Sequence, residues 1–354
     1  MKPLERITLL SALAVLGYAC SSDDSPVGPG ASKRLGADVA AEDQLAFGPW
    51  GAPVNLGPAI NSVASEQHPA ISKDGLSLYF ASDRQGGMGG LDIYVSHRES
   101  INDPWGPPTN PGPNINSAGN DLAPIFSPDG HRLYFHSNGR GGCGGADLFA
   151  SRRHDKRDDL GWEPAENLGC VVNSPFDDAG PTIFEDETTG ITTLYFTSTR
   201  PGGPGDFDIY ASTRVGDEGA FGPAVLVPEL SGPFRDTRTA IRRDGLEIFL
   251  SSDSKGRVGI GSQDLWVSTR ATTLDRWSTP INLGPTVNSA AFDGAPALSF
   301  DGTTLYFFSA RPGGFGGNDL YVTTRARLRG PDVAEDAQVK RQEKRAHHRE
   351  HQGE

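Results

Sequence analysis

The sequence has few of the residues that usually mark a catalytic nucleophile or a metal centre. Its 354 residues include only 3 cysteines and 2 methionines. No G-x-S-x-G nucleophile motif occurs, and no cysteines and histidines have the spacing of a zinc site. These absences exclude the nucleophile turn of an α/β-hydrolase and a thiolate zinc centre.

Positive charge is also scarce. There are 32 lysines and arginines against 45 aspartates and glutamates, which gives a net charge of −13. An acidic chain without a basic stripe repels phosphates, so no nucleic-acid partner is expected. After the N-terminus no apolar run is long enough to cross a bilayer. The 45 glycines and 27 prolines instead suit a turn-rich β protein.

The N-terminus has the pattern of an export signal. Lys2 and Arg6 precede an apolar stretch at 7–17, and Cys20 follows. We interpret 1–20 as a signal peptide and 21–44 as a flexible polar tether. The cysteine resembles the lipidation site of bacterial lipoproteins, with plain secretion as the alternative. The resemblance implies an exported protein of the periplasm or outer membrane, attached to the membrane only through a lipid on Cys20.

One unit of turn, strand, glycine-rich loop and strand recurs along the chain. Its first copy is D-G-L-S-L-Y-F-A-S-D-R-Q-G-G-M-G-G-L-D-I-Y, which begins at Asp74. Later copies carry the strand that precedes the glycine-rich loop at 133–135, 194–196, 248–250 and 305–307. A long repeat that contains only strand patterns is typical of a propeller with one blade per copy. The sequence therefore predicts an all-β, five-bladed β-propeller over 45–327.

The order of strands within the copies predicts how the ring closes. Each blade is expected to have strands a, b, c and d, and the fifth copy ends after strand c. A segment of strand-d type stands alone before the first copy, at 47–57. We expect it to complete the last blade (293–327) and so remove two open sheet edges. The charged residues 328–354 are expected to form a disordered tail.

Alternating strand directions place the glycine loops (b–c) and the d–a connections on one face. Each d–a connection ends in an acidic residue immediately before the innermost strand. This acidic ring at the channel mouth consists of Glu66, Asp121, Asp178, Asp236 and Asp293. The ring could bind a ligand or hold Ca²⁺, which prefers oxygen ligands. Alternatively, each carboxylate caps its own loop, an explanation that repetition in every blade favours. No other cofactor is expected.

Two further features belong to this face. Cys143 and Cys170 both lie on it, so they could form a disulfide in an exported protein. The glycine loops could cradle a phosphate. However, each loop has an arginine at one end and an aspartate at the other, as with Arg84 and Asp92. This arrangement favours an ion pair that fixes the loop.

Residues that break the repeat are the candidates for chemistry, because a catalytic site needs unequal partners. They are Glu66, His68, His136, Arg235 and Arg238. His136 stands where the other copies have Ala81, Thr197, Ser251 and Phe308.

The repeat resembles the WD40-like propeller repeat called PD40, which occurs in the propeller of TolB and in many bacterial exported proteins. The motifs that carry the resemblance are S-P-D-G-x-x-L-Y-F at 127–135 and S-x-R-P-G-G-F-G-G-x-D-L-Y at 309–321. The resemblance covers about 45–327 and implies a propeller, here with five blades where TolB has six. It names no catalytic residues.

From these patterns we expect a non-enzymatic binding or scaffolding propeller of the cell envelope, with an envelope protein or a glycan as partner. The alternative is a carbohydrate-active hydrolase or lyase with its site at the channel mouth. A third interpretation is a calcium-stabilised structural protein.

Overall fold

The structure, a computed structural model, describes residues 46–216, 219–253 and 259–328. Within these ranges every regular element is a β-strand. None of the described residues forms a helix long and apolar enough to cross a bilayer. The predicted signal peptide with Cys20, the tether and nearly all of the predicted tail lie outside the described residues.

The strands form five antiparallel sheets, one for each copy of the repeat. Strand β1 (Val54–Asn55) comes first in the chain. Blade 1 then contains β2 (Glu66–Ile71), β3 (Ser77–Ser82) and β4 (Asp92–His97). Blade 2 contains β5 (Asp121–Phe126), β6 (Arg132–Ser137), β7 (Asp147–Arg152) and β8 (Glu166–Asn167).

The later blades follow the same order. Blade 3 contains β9 (Asp178–Asp186), β10 (Ile191–Ser198), β11 (Asp208–Val215) and β12 (Val225–Leu226). Blade 4 contains β13 (Asp236–Ile241), β14 (Glu247–Asp253), β15 (Gln263–Thr269) and β16 (Ile281–Asn282). Blade 5 contains β17 (Asp293–Leu298), β18 (Thr304–Ser309) and β19 (Asp319–Thr324).

The ring closes as the sequence predicts. Strand β1 pairs with β19 at the outer edge of blade 5, with Val54 opposite Val322 and Asn55 opposite Tyr321. A further bridge joins Phe47 to Arg327. The all-β, five-bladed propeller is thereby confirmed, including the completion of its last blade by the segment at 47–57.

Blade 1 differs from the others because its outer strand is reduced to a single bridge between Val95 and Thr109. In the other blades the residue after the outer strand donates its backbone N–H to strand c, as Leu56 does to Leu320 and Leu168 to Leu148. Blade 1 has Pro111 at this position, and proline has no N–H to donate, so its second pair is lost.

The hydrophobic core lies between neighbouring blades. Side chains of strand b alternate between the two blades that flank it. Leu78 and Phe80 pack in a cluster with Tyr306 and Leu320 of blade 5, whereas Tyr79 packs in a cluster with residues of blade 2. The leucine–tyrosine–phenylalanine motif therefore supplies both interfaces of a blade, which explains its return in the repeat.

The glycine loops and the d–a connections share one face, and they touch across the blade junctions. The tightest contact is at Gly316, where an added Cβ would lie 1.8 Å from the carbonyl oxygen of Ala64. No other residue type fits such an approach. On the same face the structure joins Cys143 and Cys170 in a disulfide with a Cα–Cα distance of 5.6 Å. We call this face the loop face.

Candidate functional site at the channel mouth

The carboxylates of the acidic ring are fully buried and engaged in their own loops. Each is the first residue of an innermost strand and has no exposed surface. In blade 3, Asp178 accepts a hydrogen bond from the Ser174 hydroxyl at 2.8 Å and one from Arg200 at 2.6 Å. Asp293 has the equivalent contacts with Ser289 at 2.7 Å and Arg311 at 2.6 Å. The repeated carboxylate therefore caps the d–a connection and neutralises a loop arginine.

Ligand or Ca²⁺ binding at this ring stays a prediction. Among the described residues, no group of three or more histidine, cysteine, aspartate or glutamate side chains is arranged to hold a metal ion. The ring residues are Glu66, Asp121, Asp178, Asp236 and Asp293, and none of them lines the cavity at the channel mouth.

The pairing expected within the glycine loops is different in the structure. Of the loop arginines that the structure describes, Arg84, Arg200 and Arg311 bond to the ring acids rather than to the aspartates at the loop ends. Those aspartates accept backbone N–H groups instead. Asp319 binds the amides of Phe315 at 2.6 Å and Gly316 at 3.2 Å, and the side chain of Asn55 at 2.9 Å. An internal carboxylate thus occupies the amides that a phosphate would need.

Each innermost strand contains a β-bulge two residues after its acid, which the sequence did not reveal. The bulge residues all have positive φ, although four of them are not glycine. They are His68 (51°), Ala123 (56°), Gly180 (60°), Arg238 (43°) and Ala295 (51°). We call them the bulge ring. Left-handed backbone is costly for residues with a Cβ, and bulges often aim side chains at functional sites.

A cavity of about 280 Å³ opens at the centre of the loop face, and we call it the mouth cavity. Its lining includes four members of the bulge ring and the strand-b residues beside them. Two bulge residues, His68 and Arg238, have large polar side chains, whereas Gly180 and Ala295 leave room. The ring is therefore unequal, in contrast to the acidic ring.

Arg238 reaches across the propeller axis. It belongs to blade 4, yet its Nη2 donates to the carbonyl oxygen of Pro124 in blade 2 at 2.9 Å and to that of Pro69 in blade 1 at 3.4 Å. The residue is only 3% exposed. Its Nε and Nη1 have no hydrogen-bond partner among the described residues. Burial lowers the pKa of Arg238 to about 9, so the guanidinium stays charged at neutral pH.

The strand-b residues hold the bulges of the next blade. The backbone N–H of Gly180 donates to Nδ1 of His136 at 3.3 Å, that of Arg238 to the Thr197 hydroxyl at 3.1 Å, and that of Ala295 to the Ser251 hydroxyl at 2.8 Å. This contact assigns the His136 proton to Nε2, because Nδ1 is the acceptor.

Both histidines of the mouth cavity are neutral at physiological pH. Desolvation, followed by the charge of Arg238, lowers the pKa of His136 to about 3. Desolvation also lowers the pKa of His68 well below its ordinary value, with further contributions from Arg238, His136 and Arg235. Their rings lie edge to face with centroids 6.3 Å apart. The two imidazoles therefore share one positively charged environment.

Aromatic rings form part of the wall. Phe292 and Phe308 are stacked with centroids 5.3 Å apart, and His68 lies 5.5 Å from Phe308. The exposed Arg235 sits over Phe207 at 4.3 Å. A small number of polar groups among aromatic walls is the usual composition of a small-molecule site.

Most of the residues that break the repeat line the mouth cavity. His68, His136, Arg235 and Arg238 all line the mouth cavity. Glu66 does not, because its carboxylate accepts bonds from Ser62 at 2.7 Å and Arg84 at 2.9 Å. The wall residues Phe207, Phe292 and Gln263 were missed. They stand directly before Asp208, Asp293 and Asp264, so the aspartates of the repeat could have marked them.

No family model and no curated protein matches the chain, so the PD40 resemblance stays a prediction. Among solved structures, the chain is similar to the catalytic domain of a GH62 α-L-arabinofuranosidase from Coprinopsis cinerea. The identity is 12% and the TM-score 0.52, over 78% of this chain and 98% of that one. It is also similar to an α-L-arabinofuranosidase from Lactobacillus brevis, at 16% identity and a TM-score of 0.53, over 78% of this chain and 94% of that one. These likenesses show the fold.

The comparisons correct the main functional expectation. A non-enzymatic binding or scaffolding module is the wrong interpretation, because these two similar structures are both enzymes, α-L-arabinofuranosidases. A glycan partner is compatible with them, whereas an envelope protein partner and a lipid anchor have no support from them.

Proposed function

We propose that the protein is a carbohydrate-active enzyme that takes one end of a glycan into the mouth cavity and cleaves a bond there. The observation that carries this proposal is the convergence of unlike polar side chains from different blades on one aromatic-walled cavity. His68 comes from blade 1, His136 from blade 2 and Arg238 from blade 4. A purely structural repeat has no need of such inequality.

The size of the mouth cavity supports a small part of a glycan as its occupant. About 280 Å³ is close to the lower limit for small-molecule pockets. Phe292 and Phe308 supply flat apolar surface for a sugar ring, while Gln263 and Thr237, 3.0 Å apart, supply hydrogen-bonding groups for hydroxyls. We therefore favour recognition of a terminal sugar unit over a long chain.

The groups available for proton transfer are imidazoles. Most glycosidases use two carboxylates about 5–10 Å apart. Within the described part of the chain, no residue that lines the mouth cavity carries a carboxylate. His68 and His136 are the imidazoles of its described lining, and Arg235 and Arg238 supply its positive charge. The substrates of the similar enzymes are consequently not carried over to this protein.

We place this activity in the cell envelope, on the basis of the export signal predicted at 1–20. Fractionation of cells that express the full chain and a Cys20→Ser variant tests the placement. The full chain is expected in the membrane fraction, and the variant in the soluble exported fraction.

The enzyme proposal is tested by incubating the purified protein with a panel of neutral and acidic glycans and identifying released products by mass spectrometry. Product release is expected from at least one glycan, and His68→Ala should abolish it. His154→Ala is the matched control, because its side chain is 96% exposed, pairs with Glu163 and does not line the mouth cavity. If no glycan in the panel yields a product, or if both variants cleave equally, the proposal fails.

A further inference from the structure

The mouth cavity has an electrostatic property that a neutral sugar does not use. It holds the buried guanidinium of Arg238 and, at its exposed edge, the guanidinium of Arg235. No described residue of its lining supplies a negative charge. The positive charge is thus concentrated in the centre of a protein whose net charge is −13.

A buried charge without a counter-ion is unfavourable unless a ligand supplies one. The nearest alternatives inside the protein are occupied. The ring acids Asp178 and Asp293 are bonded to Arg200 and Arg311, and Asp319 is bonded to loop amides. Two carbonyl oxygens fix Arg238 at Nη2 and leave its other two nitrogens without partners among the described residues.

We infer that the mouth cavity selects an acidic sugar, a hexuronate at the reducing end of a 4-linked glycan, whose carboxylate pairs with Arg238 and Arg235. This inference rests on the proposed function and names its substrate class. A carboxylate suits the site because it accepts several N–H donors at once. The overall negative charge of the protein repels a long polyanion, so a chain end is favoured over an internal segment.

An acidic sugar also strengthens the base of the site. Desolvation is the largest cause of the lowered pKa of His68, and Arg238, His136 and Arg235 lower it further. A carboxylate bound beside the two arginines offsets their part of the shift, since a nearby negative charge favours the protonated imidazole. His68 is therefore a stronger base beside an acidic sugar than beside a neutral one.

The bond cleavage that fits these groups is an elimination. The sugar carboxylate acidifies the C5 proton, which passes to the neutral imidazole of His68. The electron pair of the C5–H bond forms a C4=C5 double bond, and the bond from C4 to the glycosidic oxygen breaks. The imidazolium returns its proton to the leaving oxygen. No oxidant, reductant or water is consumed, and His68 ends in its starting state.

The Nε2–H of His136 helps to position the sugar in this scheme. Its Nδ1 accepts the Gly180 amide, so Nε2 is a fixed donor beside His68. We expect it to hold the sugar rather than to transfer a proton, because a neutral imidazole is a very weak acid.

The test compares oligogalacturonate with its methyl ester, which lacks the negative charge and adds one methyl group per sugar. Binding is measured by calorimetry, and products are followed by the ultraviolet absorbance of the new double bond and by mass. The acid should bind at least about tenfold more tightly than the ester. Arabinan and galactan oligosaccharides are the neutral controls. Oligomers of glucuronate and mannuronate extend the acidic arm.

Arg235→Gln should weaken binding of the acid by about tenfold and leave the ester unaffected. Its control is Arg243→Gln, because Arg243 is a half-exposed arginine that lines other cavities but not the mouth cavity. Arg238→Lys keeps the positive charge and changes the shape of the side chain, whereas Arg238→Met removes the charge. The methionine variant should lose acid binding while its thermal unfolding shows that it remains folded. If Arg238→Met does not fold, Arg235→Gln alone decides the question.

Equal binding of acid and ester would overturn the inference. Cleavage of neutral glycans but not acidic ones would also overturn it and would leave the enzyme proposal standing. Products that have gained water in place of a double bond would overturn the elimination step. If no glycan of either class binds or is cleaved, the proposed function itself has failed.

Discussion

Two rings of residues lie two positions apart on the same innermost strands, and they behave in opposite ways. The acidic ring has nearly the same residue in every blade, and wherever its contacts are seen it caps a loop. The bulge ring has His68, Ala123, Gly180, Arg238 and Ala295, all with the same left-handed backbone and with very different side chains. Side chains that make the same contacts from blade to blade therefore build the propeller. Positions that share a backbone conformation but differ in side chain are the ones available for a ligand.

The acids repeat, and in four of the five blades their partners repeat with them. A serine stands four residues earlier, and an arginine stands in the next hairpin. A carboxylate that is held in this way has less charge left to offer a ligand than a side chain of the bulge ring.

The largest effect on stability is expected from the acidic ring. Asp178→Asn should lower the free energy of unfolding by about 3 kcal/mol, because it leaves Arg200 without its counter-charge. Asp293→Asn should lower it by the same amount, since Asp293 makes the same contacts. Urea unfolding monitored by tryptophan fluorescence measures both. Glycan binding by the folded fraction should be unchanged.

These paired variants test the equivalence of the blades. If their losses of stability differ by more than about 1 kcal/mol, the contacts are not equivalent. Loss of glycan binding in a folded Asp178→Asn protein would break the distinction between the two rings.

A smaller effect should come from pH through the mouth cavity. His136 has a pKa of about 3 in the folded protein and an ordinary one of about 6.5 when unfolded. The unfolded chain therefore binds more protons below about pH 6.5, and stability is lost as the pH falls. Between about pH 7 and pH 5 the loss at this site should be roughly 1–2 kcal/mol.

His136→Gln checks this pH effect, since glutamine can still accept the Gly180 N–H but does not titrate. The variant should lose less stability than the wild type over the same pH range. An unchanged pH profile would mean that His136 has the same pKa in the folded and the unfolded protein. In that case the acid–base assignment of the site would be wrong.

The smallest effect should come from relief of backbone strain. Ala295→Gly should stabilise the protein by about 0.5–1 kcal/mol, because glycine adopts the φ of 51° without a Cβ penalty. Ala297→Gly, two residues along the same buried strand and outside the left-handed region, should instead destabilise it by about the same amount. Thermal melts of the two variants should therefore shift in opposite directions.

Much of the fold could be predicted because repetition makes each copy a check on the others. The length of the repeat, its strand motifs and the isolated segment at 47–57 together determined five blades and the closure by β1. The shortened outer strand of blade 1 could also have been predicted, because Pro111 stands where Leu56, Leu168 and Leu283 donate a backbone N–H in other blades.

The site could be predicted only in part. Departure from the repeat correctly singled out His68, His136, Arg235 and Arg238. The direction in which each side chain points could not be predicted in the same way. Whether Glu66 faces the channel or its own loop depends on the bulge after it, and nothing about histidine, alanine or arginine indicates a left-handed backbone. The reach of Arg238 to Pro69 and Pro124 likewise depends on blades far away in sequence.

The closure of the ring has a consequence for the order of the chain. Leu328 donates its N–H to the carbonyl of Ala46 at 2.9 Å, so the two ends of the described propeller leave blade 5 side by side. What the fold requires is then a circular succession of blades, and the position of the break in that circle is arbitrary. A gene opened between two other blades, with 46 and 328 joined by a short linker, should encode the same ring and the same mouth cavity.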